Sequence, residues 1–154
     1  MNTLLNWKKG LFKSTYQLLA SGIPCGFLKV KTFRNNTEGE LNNKKFIFEN
    51  KGFWKSETLI IDAITNAQIA VIKYDSWKNK AVIEYSENKY RFEFDNFWHT
   101  KWNILLNEEV VASYKTSVFY TKGEIFSNSA DELLILTGIY ISNYYMQKTA
   151  AAAS

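Results

Sequence analysis

Chemistry needs side chains of the right type within reach of one another, and here the candidates are few. Cys25 is the only cysteine and His99 the only histidine among 154 residues. A disulfide within the chain is therefore impossible, and zinc held by several cysteine and histidine ligands is excluded. A cysteine–histidine nucleophile also needs a third group to orient the base. Cys25 stands between Pro24 and Gly26 while His99 follows two aromatics, so the two share no motif. Asp62 with Asp75, or Glu93 with Asp95, offers carboxylates of the kind that work in pairs, yet spacing alone does not set two across a reaction centre. Asp62 and Asp75 are expected to shape turns by accepting backbone hydrogen bonds. No nucleophile elbow, phosphate-binding glycine loop, dinucleotide fingerprint or acidic calcium loop occurs. No catalytic residue, metal ligand set or cofactor is assigned, and a non-enzymatic role is expected.

Residues suited to binding anions are more plentiful. With 19 basic and 15 acidic residues the formal net charge is +4, which favours lipid headgroups or nucleic acid. One candidate set is Lys8, Lys9 and Lys13 with Trp7 and Phe12, a basic-aromatic foot for a membrane surface. The competing role is a segment that covers one end of the domain with its lysines in water. A second set is Lys29, Lys31 and Arg34. Period-two spacing puts Lys29 and Lys31 on one face, followed by Phe33, with Leu28 and Val30 on the other. A solvated outer face accounts for the same pattern. Lys44 and Lys45, beside Asn43, read as a turn. Stacking on nucleic-acid bases would need exposed aromatics, for which Phe53, Trp54, Trp77, Phe97, Trp98 and Trp102 are available. Their places near turns favour plugging the ends of the fold, so nucleic acid is a disfavoured partner.

The elements that must position these residues are mostly strands. Aromatics make up 16% of the chain and suit sheets, where large side chains pack across neighbouring strands. Tyr90, Phe92 and Phe94 alternate with Arg91 and Glu93, and Phe46 and Phe48 alternate with Ile47 and Glu49. Further strands are expected at 14–19, 27–33, 58–64, 68–74, 80–85, 101–106, 110–114 and 117–126. Their short connections, such as 65–67, 86–88, 107–108 and 121–123, favour antiparallel neighbours. The stretch 130–147 reads as a helix, with Ser129 and Glu132 fitting a capping box. Leu133, Leu136, Ile139, Tyr140, Ile141 and Tyr144 leave no polar stripe on it, and a helix apolar all round must be buried all round. Closing the sheet around the helix satisfies that demand and removes exposed edges. The expected fold is therefore mainly β: a closed antiparallel barrel of about 10–12 strands around a hydrophobic C-terminal helix. Residues 1–12 are expected as a lead-in, 13–147 as one domain and 148–154 as a frayed tail.

Three stretches carry a likeness to a known family: 59–73, where a strand ending near Asp62 turns back into another; Trp77 and Lys78 before the Lys80 strand; and the helix over 133–145. The pattern resembles the tubby C-terminal superfamily in its small form, similar to LURP-one-related and phospholipid scramblase-like proteins, across roughly 13–147. The resemblance implies a barrel of about a dozen strands around a central helix. It also implies lipid binding, since tubby domains hold phosphoinositide headgroups through basic surface residues. A complete lysine-arginine pocket of that kind does not map onto this chain. The functional expectation is a module that binds membrane-surface lipids or another anionic ligand, peripheral to the membrane. The alternative is a structural or protein-interaction module, and the oligomeric state is left open. The N-terminal residues lack the apolar run of a secretory signal, so a cytoplasmic location is expected, extending to the inner membrane surface. Replacing Ile139 with Asp is expected to unfold the domain, because a carboxylate without a partner in an apolar core costs several kcal/mol. A native melting profile for the purified variant would refute the central helix.

Overall fold

The computed structural model describes residues 3–10, 14–31, 36–51 and 56–153. Its strands run in chain order: β1 (Thr3–Lys8), β2 (Thr15–Ala20), β3 (Ile23–Lys29), β4 (Thr37–Leu41), β5 (Lys44–Lys51), β6 (Glu57–Asp62), β7 (Gln68–Asp75), β8 (Lys80–Tyr85), β9 (Asn88–Phe94), β10 (Lys101–Leu106), β11 (Glu109–Thr116) and β12 (Lys122–Ser127). They precede one helix, α1 (Glu132–Ala153). Each strand pairs antiparallel with its neighbours in sequence, and β1 pairs with β12 from Thr3 opposite Ser127 to Lys8 opposite Lys122, closing a barrel.

Local chemistry explains the hairpins. Ser21-Gly22, Asn42-Asn43, Ser86-Glu87 and Asn107-Glu108 each form a two-residue loop with positive φ at both positions. That backbone matches the right-handed twist of the strands it joins. Register shifts at Leu18/Leu19, Ile60/Ile61 and Ile104/Leu105 add local bending to the wall. Along each strand one face is buried and the other is not, as in β9, where Tyr90 and Phe92 point inward.

The helix fills the interior. Leu133 to Asn143 and Tyr145 are buried without a break other than Tyr144, which is half-buried. At Gly138 the helix passes over a stacked pair, Trp102 and Tyr114, with ring centroids 5.6 Å apart. The Trp102 indole donates to the Gly138 carbonyl at 3.1 Å, and the Tyr114 hydroxyl lies 3.1 and 2.9 Å from the Leu134 and Ile135 carbonyls. A side chain at 138 would occupy the Tyr114 ring, so only glycine permits this approach. The polar residues of the helix are also partnered: Thr137 and Ser142 donate to the carbonyls of Leu133 and Ile139, and Asn143 donates to the Tyr16 hydroxyl.

Several expectations change. The strand expected at 117–126 starts only at Lys122, residues 117–121 being a loop between β11 and β12. Within the stretch read as a lead-in, Thr3–Lys8 form β1, a barrel strand that closes the wall against β12. A second strand, β4, lies in 37–41, where Gly39 and two glutamates mask the alternation. The helix cap is Asp131, whose carboxylate accepts from the Leu134 N–H at 3.1 Å, while the Ser129 N–H bonds to the Val111 carbonyl. Glu132 instead pairs with Lys44 at 2.9 Å, and the second Asp131 oxygen accepts from the Tyr85 hydroxyl at 2.6 Å. The helix also continues through the alanines to Ala153, consistent with their intrinsic propensity. Substituting Gly138 with Ala is expected to cost about 1–3 kcal/mol by overpacking, read as a lower denaturation midpoint with an unchanged slope. An unaltered midpoint would show that the helix does not pass this close to Tyr114.

Candidate functional site

Alternating strand direction sorts the loops. Every connection after an odd-numbered strand lies at one end of the barrel, and every connection after an even-numbered strand lies at the other. The tight two-residue turns all belong to the second group, together with 63–67 and the lead into the helix. The first group comprises 76–79, 95–100 and 117–121, together with the described residues 9–10, 14, 30–31, 36 and 56.

The two ends differ in chemistry. On the long-loop end Trp77 is 94% exposed, Phe97 87%, Trp98 73%, Val118 77% and Phe119 76%. At the short-turn end Ile23 and Ile64 are exposed, with Leu4, Val110 and Phe126 one residue further along the wall at 53%, 38% and 48%. Charge is divided the same way. Among the described residues of the long loops and the strand ends beside them, Lys8, Lys9, Lys29, Lys31, Lys51, Lys78, Lys80, Lys101 and Lys122 stand against Glu57, Asp75 and Asp95. The corresponding positions at the other end carry Asp62, Glu87, Glu108, Glu109, Asp131 and Glu132 against Lys44, which is already paired.

The aromatic loops are built to hold their apolar side chains outward. Asn96 Oδ1 accepts from the N–H groups of Thr100 and Lys101 at 3.0 and 3.2 Å, while its Nδ2 donates to the Thr100 hydroxyl at 2.6 Å. His99 takes a left-handed backbone (φ 58) and stacks on Phe94 at 3.8 Å. With the loop pinned at both places, Phe97 and Trp98 lie between the anchors and pack edge to face on each other at 5.4 Å. Tyr120, the residue after Phe119, donates its hydroxyl to the Trp98 carbonyl at 3.0 Å and ties the two loops together. The C-terminal end of α1 emerges at this same end, its Tyr145 hydroxyl bonded to the Lys80 carbonyl.

The residues expected to bind ligand are partly brought together. Lys8, Lys9, Lys29 and Lys31 all reach the long-loop end, and Lys29 and Lys31 alternate with buried Leu28 and Val30. Lys29 lies opposite Glu38 on the neighbouring strand. Lys9 is half-buried with its ammonium 5.5 Å from the centre of the Tyr16 ring, and burial lowers its pKa. Trp7 must be corrected as an exposed membrane contact: it is 3% exposed and its ring packs edge-on against Tyr16 inside the barrel. Lys13 and Arg34 lie outside the described residues, as do Phe12, Phe33, Phe53 and Trp54. The aromatics expected as plugs divide: Trp102 is buried against the helix, whereas Trp77, Phe97 and Trp98 face solvent. Sequence reasoning passed over Lys101, Lys115, Lys122, Val118 and Phe119. Only the closed register reveals that they share an end.

Catalytic alternatives find no assembly. Cys25, near the start of β3, belongs to the short-turn end and His99 to the opposite one. Burial pushes the Cys25 thiol upward, away from the reactive thiolate. Asp62 accepts from the N–H groups of Ile64 and Thr65 at 2.8 and 3.1 Å, the turn-shaping role expected of it, and these bonds lower its pKa. Among the described residues no group of three acidic, histidine or cysteine side chains could hold a metal ion, and no helix is long and apolar enough to cross a membrane. No family model, curated protein or solved structure matches this chain.

Burial lowers the pKa of His99 below the ordinary histidine value. Its neutral form is thus favoured on folding, and stability is full above the unfolded pKa of about 6.5 and lost as pH falls through the folded value. Melting temperature is expected to fall modestly from pH 7.5 to pH 5, and His99→Gln should reduce that dependence. An identical pH profile for the variant would refute the role of the stacked imidazole.

Proposed function

We propose that this protein is a non-catalytic module that docks on an anionic membrane surface through the long-loop end of its barrel. The observation that carries the reading is the coincidence, at one end, of preorganised exposed aromatics and an excess of lysines. Aromatic side chains prefer the headgroup region, and each lysine near an anionic leaflet contributes about 1 kcal/mol. Neither signal anchors a protein well alone; the two together do. Charged outward positions along the strands, including the pairs Lys73–Glu84 at 3.1 Å and Lys80–Glu93 at 3.8 Å, suit a wall in water rather than in hydrocarbon. The attachment is therefore peripheral, at a leaflet rich in anionic lipid such as the cytoplasmic one. The resemblance to tubby, LURP-one-related and scramblase-like proteins agrees with this role, and a barrel around a single long helix is the form that resemblance implies.

A second reading, a protein-interaction module, rests on a different surface. Leu4 and Phe126 lie opposite each other across β1 and β12 and are 53% and 48% exposed, forming an apolar patch on the outer wall. A partner protein docked there would leave the aromatic loops free.

Vesicle co-sedimentation separates the two. The wild type is expected to bind vesicles containing phosphatidylglycerol or phosphatidylserine more tightly than neutral ones. Replacing Phe97 and Trp98 by Ser should lower that affinity at least tenfold while leaving the melting temperature nearly unchanged, because both side chains are exposed. Equal sedimentation of variant and wild type would sink the membrane reading.

A further inference from the structure

At the closing seam of the barrel, and again two strands further round, like charges face each other across the wall. Lys8 of β1 lies directly opposite Lys122 of β12, and Lys101 of β10 lies directly opposite Lys115 of β11. The two pairs adjoin, since Lys115 faces Glu124 and is diagonal to Lys122 on the same pair of strands. All four lysines are exposed. None forms an ion pair among the described residues, and Glu124 forms none either. Elsewhere the wall matches opposite charges across strands, as in Lys45 with Glu40 at 3.7 Å and Lys80 with Glu93 at 3.8 Å. Like charges directly opposite are destabilising, with side chains starting only about 5 Å apart.

We infer that Lys8, Lys122, Lys115 and Lys101 form a binding site for the phosphates of anionic lipids. The inference rests on the docking reading and locates its charge-binding part. An open groove of about 470 Å³ runs among Lys8, Lys115 and Lys122, with Ser117 and Asn6 as polar neighbours and Glu124 as the carboxylate within it. Ammonium groups from adjacent strands act there as point charges on phosphate oxygens. Ser117 of the groove wall is followed in the chain by the exposed Val118 and Phe119, and Lys101 follows the loop that presents Phe97 and Trp98. Its occupant is thus anionic at the groove and apolar immediately beyond it. A lipid phosphate with its acyl chains meets both demands, whereas a soluble polyanion has no use for the aromatic loops.

The test exploits the mismatch. Lys115→Gln with Lys122→Gln removes one member of each opposed pair. Without ligand the double variant should melt no lower than wild type, because the two repulsions relieved offset the loss of Lys115 and Lys122 beside Glu124. Its affinity for phosphatidylglycerol-containing vesicles should fall about 30-fold at low salt, from roughly fivefold per lysine. Lys45→Gln with Lys89→Gln, on the walls of β5 and β9 and away from the groove, should leave vesicle binding unchanged. Wild-type vesicle affinity in the Lys115/Lys122 variant would overturn the site while leaving the docking reading intact, provided the Phe97/Trp98 variant still loses binding. Failure of the wild type to bind any anionic vesicle would overturn both. Pyrophosphate added in solution is expected to bind weakly. Pyrophosphate that binds without vesicles as tightly as the lipid surface does, and only when the lysines are present, would overturn the lipid as occupant.

Discussion

A helix with no polar stripe can be satisfied only by a wall on every side, and most of this molecule follows from that requirement. A single open sheet would leave part of α1 in water, so the strands must curl until β1 meets β12. Once closed, the wall has no edge to protect and its inner surface is committed to the helix. The interior therefore holds protein rather than ligand. Close fit at Gly138, where backbone carbonyls bond to Trp102 and Tyr114, fixes the depth and rotation of the helix. Any binding must use the outside or the ends.

Parity then distributes chemistry without further instruction. In an up-and-down barrel the loops alternate between two ends, so a sequence can enrich alternate loops in aromatics and lysines and thereby build one continuous face from residues far apart in the chain. This protein does so. Economical two-residue turns with acidic side chains occupy one end, and longer loops with Trp77, Phe97, Trp98, Val118 and Phe119 occupy the other. Hydrogen bonds from Asn96 and Tyr120 keep those loops from folding their apolar side chains back onto the barrel.

Much of the fold was legible in the sequence. The uniform apolarity of Leu133 to Ile141, the alternation at Tyr90 to Phe94 and the short polar turns led to a closed barrel around a helix, and the structure has that form. What escaped detection did so for physical reasons. In β1 the alternation of Leu5 and Trp7 with Asn6 and Lys8 is too short to separate from a loop, and its strand character comes from pairing with β12, a long-range partner. In β4 the buried positions are Thr37, Gly39 and Leu41, only one of them a large apolar residue. The Ser129–Glu132 spacing fitted a cap, but Asp131 lay two residues closer to the donor, the Leu134 N–H. The functional surface was least legible. Lys8, Lys9, Lys29 and Lys31 were seen as separate sets, because their shared end depends on strand order and their neighbours on register across the seam. Trp7 looked available for contact for the same reason, its inward direction being set only by the closed wall.

That seam has a consequence for how the chain acquires its structure. Thr3 pairs with Ser127, so the last part of the wall joins the first strand to the last, and the helix that fills the interior comes later still. Contacts of such long sequence separation are slow to form. While the chain is being synthesised it can hold only a curved, open sheet with two unpaired edges and an apolar inner surface awaiting its helix. Such a species is prone to pair with copies of itself. The chain is thus most exposed to such pairing in the interval before β1 meets β12 and α1 enters the barrel.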